Sequence, residues 1–288
     1  MRTRQGSFCR RGLAATLLAT LCGCAATAVP PISETPTALV EPGRLVWIDL
    51  LTHDVERART FYEGVFGWDV QTTPDPGYRQ ILSHGRPVGG IFDHQPRDPK
   101  VSETQWLMSM SVEDVDAAAA TTRAAGGRVL VGPANLPGRG RHVVVSDPSG
   151  ATLVLLRASG GDPREVEVRD GEWWFGELWT RDIDAAARFY RDVAALEAKV
   201  LRDDDGDEYV VLGSQGKARA GVALLRWPDV LPNWLPYIRV GDVSLTLERI
   251  EAAGGATLLA PAPDFYRGRV AIVSDPTGGV FAIQQAGS

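Results

Sequence analysis

The residues of this chain that could do chemistry come in pairs, one member in each half. Trp47 and Asp49 match Phe175 and Glu177, Ser109 matches Tyr237, and Arg141 matches Arg269, each at an offset of 128 residues. Side chains alternate across a strand, so an aromatic and a carboxylate two places apart share one face. Each half therefore offers a cavity wall with an aromatic, a carboxylate and a hydroxyl (Ser109 or Tyr237), with Arg239 two places beyond Tyr237. Arg141 and Arg269 are the expected partners of Asp49 and Glu177, because a buried carboxylate left alone costs several kcal/mol. Three readings stay open: structural ion pairs, a ligand-binding wall, or a general base at Asp49 or Glu177 with its pKa raised toward neutrality.

Other chemistry is scarce. The three cysteines, Cys9, Cys22 and Cys24, all lie in the first 24 residues, so the body has neither a disulfide framework nor a thiol nucleophile. The four histidines, His53, His84, His94 and His142, all fall in the first half. His53 and His84 read as loop or cap residues, whereas His94 and His142 could approach a cavity. The net charge of −6 becomes more negative once the four leader arginines are set aside, which argues against a nucleic-acid partner.

The elements that must hold these residues repeat as well. RGRHVVVSDPSG (139–150) recurs as RGRVAIVSDPTG (267–278), Phe61-Tyr62 as Phe189-Tyr190, Trp106 as Trp234, and Ala124–Gly127 as Ala252–Gly255. A shared offset at so many points is an internal duplication. Within the first copy the spacing predicts strand 45–51, a helix capped by Asp54 and closed by Gly67, and strands 68–73, 78–83 and 86–92. The pattern then restarts with strand 105–111, a helix over 112–125, and strands 128–131, 141–146 and 151–156. Trp106 and Trp234 have the parity to pack under helices.

This order, with FY in the first helix and Asp-Pro-x-Gly near each repeat's end, resembles the vicinal oxygen chelate (VOC) superfamily. That superfamily holds glyoxalase I, extradiol dioxygenases and bleomycin-resistance proteins. VWIDLLTHD…FYEGVFGW, with Trp234-Leu235-Pro236-Tyr237, is similar to the tandem glyoxalase-like proteins of bacteria. The resemblance implies an α+β fold of two tandem VOC domains, each built of two βαβββ modules as a curved mixed sheet around a cavity. It also implies metal-ligand positions, which this sequence fills with Trp47, Leu107 and Val154 in one repeat and Phe175, Leu235 and Ala282 in the other. None of these side chains can bind a metal, so no metal cofactor is expected.

The amino terminus reads as processing rather than fold. A basic stretch, a short apolar run and Leu21-Cys22-Gly23-Cys24 resemble a bacterial lipobox with Cys24 as the lipidated residue. The expected organisation is a signal peptide (1–24), a flexible tether (25–43), domain one (44–158), a linker (159–171) and domain two (172–288). The anchor implies a cell-envelope protein, at the outer membrane facing the periplasm, with its two repeats expected to pair within the chain. The expected function is metal-independent binding of a small organic molecule, for sequestration or resistance. Its rivals are a lyase, isomerase or hydroxylase, and a structural envelope protein with filled cavities.

Overall fold

The computed structural model describes residues 28–96, 103–202 and 208–286. The lipobox and Cys24 lie outside the described residues. Repeat one runs β1 (Leu45–Thr52), α1 (Val55–Phe66), β2 (Asp69–Thr72), β3 (Tyr78–Ser83) and β4 (Arg86–Asp93). Its second module is β5 (Gln105–Ser111), α2 (Val115–Ala124), β6 (Arg128–Leu136), β7 (Gly140–Ser146) and β8 (Thr152–Ala158). Repeat two gives β9 (Trp173–Thr180), α3 (Ile183–Ala194), β10 (Glu197–Arg202), β11 (Glu208–Ser214) and β12 (Lys217–Leu224). It closes with β13 (Asn233–Val240), α4 (Val243–Ala252), β14 (Ala256–Leu259), β15 (Val270–Ser274) and β16 (Val280–Gln285).

Each repeat is one eight-stranded mixed sheet, ordered β2-β3-β4-β1-β5-β8-β7-β6 and its counterpart β10-β11-β12-β9-β13-β16-β15-β14. This is the expected α+β arrangement of two βαβββ modules per repeat. The first and last strands of each module pair in parallel, and the two modules join antiparallel through β1 and β5 or β9 and β13. All four helices begin at an aspartate, Asp54, Asp114, Asp182 or Asp242, whose carboxylate accepts first-turn amide hydrogens. Such a cap is worth about 1 kcal/mol.

Alternation gives every central strand two different faces. Ile48, Leu50, Met108, Met110, Val143, Val145, Leu153 and Leu155 join the helices in one core that draws on both repeats. The opposite faces carry separate clusters, termed cups, with Trp47, Leu107 and Val144 in cup one and Leu235, Tyr237 and Ile272 in cup two.

The duplicated motifs turn out to bind the repeats to each other. Tyr62 of α1 donates to Asp275 of the second Asp-Pro-x-Gly turn (2.8 Å), and Tyr190 of α3 donates to Asp147 of the first (3.3 Å). Trp106 and Trp234 donate to those same tyrosine oxygens at 2.8 Å, under the helices as their parity requires. A Cβ on Gly127 would lie 2.7 Å from the Phe189 ring, and one on Gly255 would lie 2.9 Å from Phe61. The FY pair, the turn aspartate and the Ala-Ala-Gly-Gly glycine therefore meet across the pseudo-twofold axis, in both directions. Burial, with the aspartate beside each, pushes the Tyr62 and Tyr190 hydroxyls well above the usual tyrosine range, so both stay protonated donors.

Residues 28–43, expected as a flexible tether, instead pack along repeat one. Val29 and Ile32 are buried, Ile32 against Trp47, Leu156 and Ala158. Asp162, itself buried, holds the later part of the strap by accepting the Glu41 amide (2.7 Å) and donating its own amide to the Leu39 carbonyl (2.8 Å). Two branched apolar side chains and this backbone network stabilise an order that composition alone does not indicate.

Candidate functional site

Cup one is built around Asp49, at the middle of β1. Its Oδ1 accepts from Trp47 Nε1 and from Tyr78 Oη, both at 2.9 Å, and its Oδ2 accepts from Arg139 Nη1 at 3.0 Å. Arg139 Nη2 also donates to Tyr78 Oη at 2.7 Å, and its guanidinium lies 4.8 Å from the Trp47 ring centroid. Tyr78 fits because β4 carries Gly90 opposite Asp49; a Cβ there would sit 1.9 Å from the phenol oxygen. Burial works against the Arg139 charge, but Asp49 and then Tyr78 outweigh it and keep the group cationic.

The expected partner Arg141 is elsewhere. It forms a two-pronged pair with Asp116 of α2, at 2.5 and 2.6 Å, at the exposed margin of the helix-covered face. The reason is strand parity: in β7, Val143 and Val145 face the helices, so Arg141 does too, while His142 and Val144 face the cup. Arg139 reaches Asp49 from the loop before the strand. His142 is buried, and burial followed by the nearby Arg139 charge lowers its pKa, so the imidazole is neutral at pH 7. Two buried polar atoms here have no hydrogen-bond partner, Arg139 Nε and His142 Nδ1. Ser109 is buried on β5, paired in register with Trp47.

Cup two solves the same problem without a guanidinium. Glu177, 1% exposed, accepts from Trp179 Nε1 (2.5 Å), Tyr237 Oη (2.6 Å), Tyr266 Oη (2.7 Å) and the Tyr209 hydroxyl. Tyr209 is the counterpart of Tyr78, with Gly221 in place of Gly90. Burial, and Glu177 after it, raises all three phenols far above the usual range, so each remains a donor. Tyr266 and Arg267 both adopt left-handed backbone (φ 47° and 56°), which costs about 1–3 kcal/mol each and brings the Tyr266 hydroxyl onto the carboxylate. Trp179 stacks on Trp227 (5.1 Å, 10°) with Phe265 edge-on at 6.1 Å, so aromatic side chains fill this cup.

Of the remaining expected residues, Phe175 packs near Tyr237 at 6.4 Å and Tyr237 is central. Arg239 instead holds the linker, donating to Asp170 (3.0 Å) and the Val168 carbonyl (2.9 Å). Arg269 does not meet Glu177; Val270 takes the cup-facing place beside it. Arg139, Tyr78, Tyr209, Tyr266 and Trp179 were not singled out from sequence. Tyr78 and Tyr209 stand at the start of the third strand of their repeats, and each phenol lies over a glycine of the neighbouring strand, Gly90 or Gly221.

A family metal centre does not fit this donor set. The ligand positions carry Trp47, Leu107 and Val154, both Asp49 oxygens are engaged, and His142 is the only imidazole facing the cup. His94 pairs with Glu103 (3.1 Å) and His84 with Ser83 (3.1 Å), while His53 is exposed. Among the described residues no group of three His, Cys, Asp or Glu could hold a metal ion.

Comparison with known proteins agrees with this architecture. The family model "Glyoxalase/Bleomycin resistance protein/Dioxygenase superfamily" matches residues 44–155 and again 175–283. A Mycobacterium tuberculosis protein named "Putative glyoxylase CFP32" is 30% identical over 241 residues, covering 82% of this chain and 92% of its own. The anthracycline biosynthesis protein DnrV of Streptomyces peucetius is 31% identical over 264 residues, covering 84% and 93%. Among solved structures, the Mn(II)-bound glyoxalase from Novosphingobium aromaticivorans superposes with a TM-score of 0.59 at 18% identity, covering 86% of this chain and 83% of that one. The 2,3-dioxygenase LapB from Pseudomonas sp. KL28 gives 0.59 at 15% identity, covering 87% and 94%.

Proposed function

Since the chain belongs to the glyoxalase/bleomycin resistance protein/dioxygenase superfamily, we propose that it binds a small organic molecule in cup one, without a metal, while cup two serves as scaffold. The observation that carries this is the difference in hydrogen-bond satisfaction between the cups. Cup one keeps two buried polar atoms without partners, Arg139 Nε and His142 Nδ1, whereas the donors on Glu177 are all engaged in a filled pocket. Leaving a buried donor unpaired costs about 1–3 kcal/mol, so such a pair of atoms is an invitation to a ligand. Asp49 already balances Arg139, and His142 is neutral. The fitting ligand is therefore neutral, offers an acceptor to the guanidinium, and has a flat face for Trp47.

The protein would act by sequestration at the cell envelope, tethered by a lipid on Cys24. A second reading, as an enzyme, now favours His142 over Asp49 or Glu177 as general base. Asp49 is held by Arg139 and Glu177 by four donors, while His142 carries a neutral, unpaired nitrogen beside the ligand position.

Native mass spectrometry with elemental analysis, on protein taken from its own host's membranes, tests the reading. The expected result is a retained small molecule, lost on His142→Ala, with metal well below one equivalent. One equivalent of manganese, iron, nickel or zinc that disappears with His142→Ala would overturn it.

A further inference from the structure

A cavity lies between the repeats, on the pseudo-twofold axis beside the cups. The first residues of β1 and β9 border a groove of about 400 Å³, within the range of small-molecule sites. Its two sides come from equivalent positions of the duplication, yet their chemistry differs. Where repeat one has Leu45, Val46 and Met108, repeat two has Trp173, Trp174 and Pro236. The linker between the repeats forms a further wall at 163–168. Trp174 is 40% exposed and the linker's Val166 55% exposed, an aromatic and an aliphatic side chain left open to solvent on one groove.

Most charges around the groove are committed; the exception is Arg164, exposed at its rim. Arg86 donates to both oxygens of Glu172 (2.7 and 3.0 Å). Arg44 pairs with Glu41 at 2.5 Å, and Arg219 pairs with Glu165 and with Glu41. Lys217, then Arg219, hold the Glu165 carboxylate down at about 2, so it stays ionised and keeps its partners. An anion entering this groove would meet one charge unpaired among the described residues, Arg164, in an exposed position where water screens it.

One donor is free. Trp173 Nε1 is buried and has no hydrogen-bond partner. Its ring is fixed edge-on to Trp106 at 4.7 Å and against Trp68 at 5.3 Å, so the N–H cannot swing away to find one. A Cβ built on Gly89 would lie 2.8 Å from the Ile48 carbonyl oxygen and 3.6 Å from this nitrogen, so glycine is needed there and supplies no side-chain acceptor. From the aromatic walls and this single buried donor, we infer that the groove is a second binding site. Its ligand is a planar aromatic molecule with a hydrogen-bond acceptor on its edge. The ring lies against Trp174 and the acceptor takes the Trp173 proton. The site adjoins cup one, since Trp47 and Phe175, the cup aromatics, both border it.

Coumarin and naphthalene separate the two parts of this recognition, since they match in size and flatness but only coumarin has a carbonyl. Titration of the full chain, followed by tryptophan fluorescence and saturation-transfer NMR, should give saturable coumarin binding, with naphthalene about fivefold weaker, the worth of one neutral hydrogen bond. Trp174→Ala should weaken coumarin about tenfold, the loss of one aromatic face. Trp173→Phe keeps the ring and should abolish the preference for coumarin while leaving naphthalene unchanged. Absence of saturable coumarin binding would overturn the inference, as would equal binding by wild type and both tryptophan variants. Coumarin binding lost on His142→Ala but kept in Trp174→Ala would place the probe in cup one, overturning this site while supporting the other.

Discussion

The pairing of Asp49 with Arg139 rather than Arg141 makes opposite demands on two neighbouring arginines. Arg139 is 4% exposed and makes two charged hydrogen bonds, to Asp49 and to Tyr78. Charged hydrogen bonds are worth about 1.5–3 kcal/mol each, so Arg139→Ala should cost about 3–5 kcal/mol. That matches the usual penalty for leaving one member of a buried pair alone. Arg141 and Asp116 are 37% and 58% exposed, so Arg141→Ala should cost far less despite its better geometry. Asp49→Asn with Arg139→Met removes both charges, and its cost should fall well below the sum of the single changes, with a coupling of about 2 kcal/mol or more. Urea unfolding followed by tryptophan fluorescence measures all of these. One shared core predicts a single transition with an unchanged m-value, so midpoints can be compared directly. An Arg139→Ala cost no larger than that of Arg141→Ala would refute the reasoning and restore Arg141 as the partner.

Further expectations concern the surroundings of that pair. His142 has a lowered pKa in the folded chain, so as pH falls below about 6.5 the unfolded chain takes up its proton first and stability drops. His142→Gln should flatten that part of the slope between pH 7 and 5, measured by denaturation at a series of pH values. Gly90→Ala should cost at least about 2–3 kcal/mol, because the new methyl would sit 1.9 Å from the Tyr78 hydroxyl and the residues around it are fully packed; thermal unfolding would show it. Ile32→Ala should cost about 2 kcal/mol or more and expose residues 28–36 to limited proteolysis, whereas a true tether would show neither effect. Cys24→Ser should move the protein from membranes to the soluble periplasmic fraction, and a wild-type chain already soluble and unacylated would exclude the lipid anchor.

The fold was legible because a duplication reports itself at every periodic position. The helix cap at Asp54 and the strands at 78–83 and 105–111 follow from local pattern, whereas the second helix, expected from 112, begins at Val115 behind an Asp114 cap. The cup carboxylates were legible for the same reason, since Asp49 shares parity with Trp47 and Glu177 with Phe175. Arg141 was misassigned although the signal to reject it was present. Val143 and Val145 share its parity and belong to the core under the helices, so a guanidinium at 141 must leave on that side. Arg139, Trp227 and Tyr266 were out of reach for a different reason. They come from loops, whose paths depend on tertiary contacts rather than on a period. The order of residues 28–43 was hidden likewise, because Val29 and Ile32 gain a surface to bury against only after repeat one has formed.

The repeated motifs and the site residues obey opposite rules, and this explains why the two cups differ. Tyr62 with Asp275 and Tyr190 with Asp147 are one interaction used twice, so a change in one copy would unbalance a shared interface. The cup carboxylates carry no such constraint, since each sits on the outer face of its own sheet. Repeat one kept a short carboxylate, an arginine and a neutral histidine, with valences left over. Repeat two took a carboxylate one methylene longer, ringed by phenols and an indole, and filled the space above it with Trp227 and Phe265. A buried carboxylate can be stabilised by either arrangement, but only the first leaves a polar atom for something else to bind. Duplication thus allows one cup to be given over to stability while the other tolerates the cost of incomplete pairing that a binding site requires.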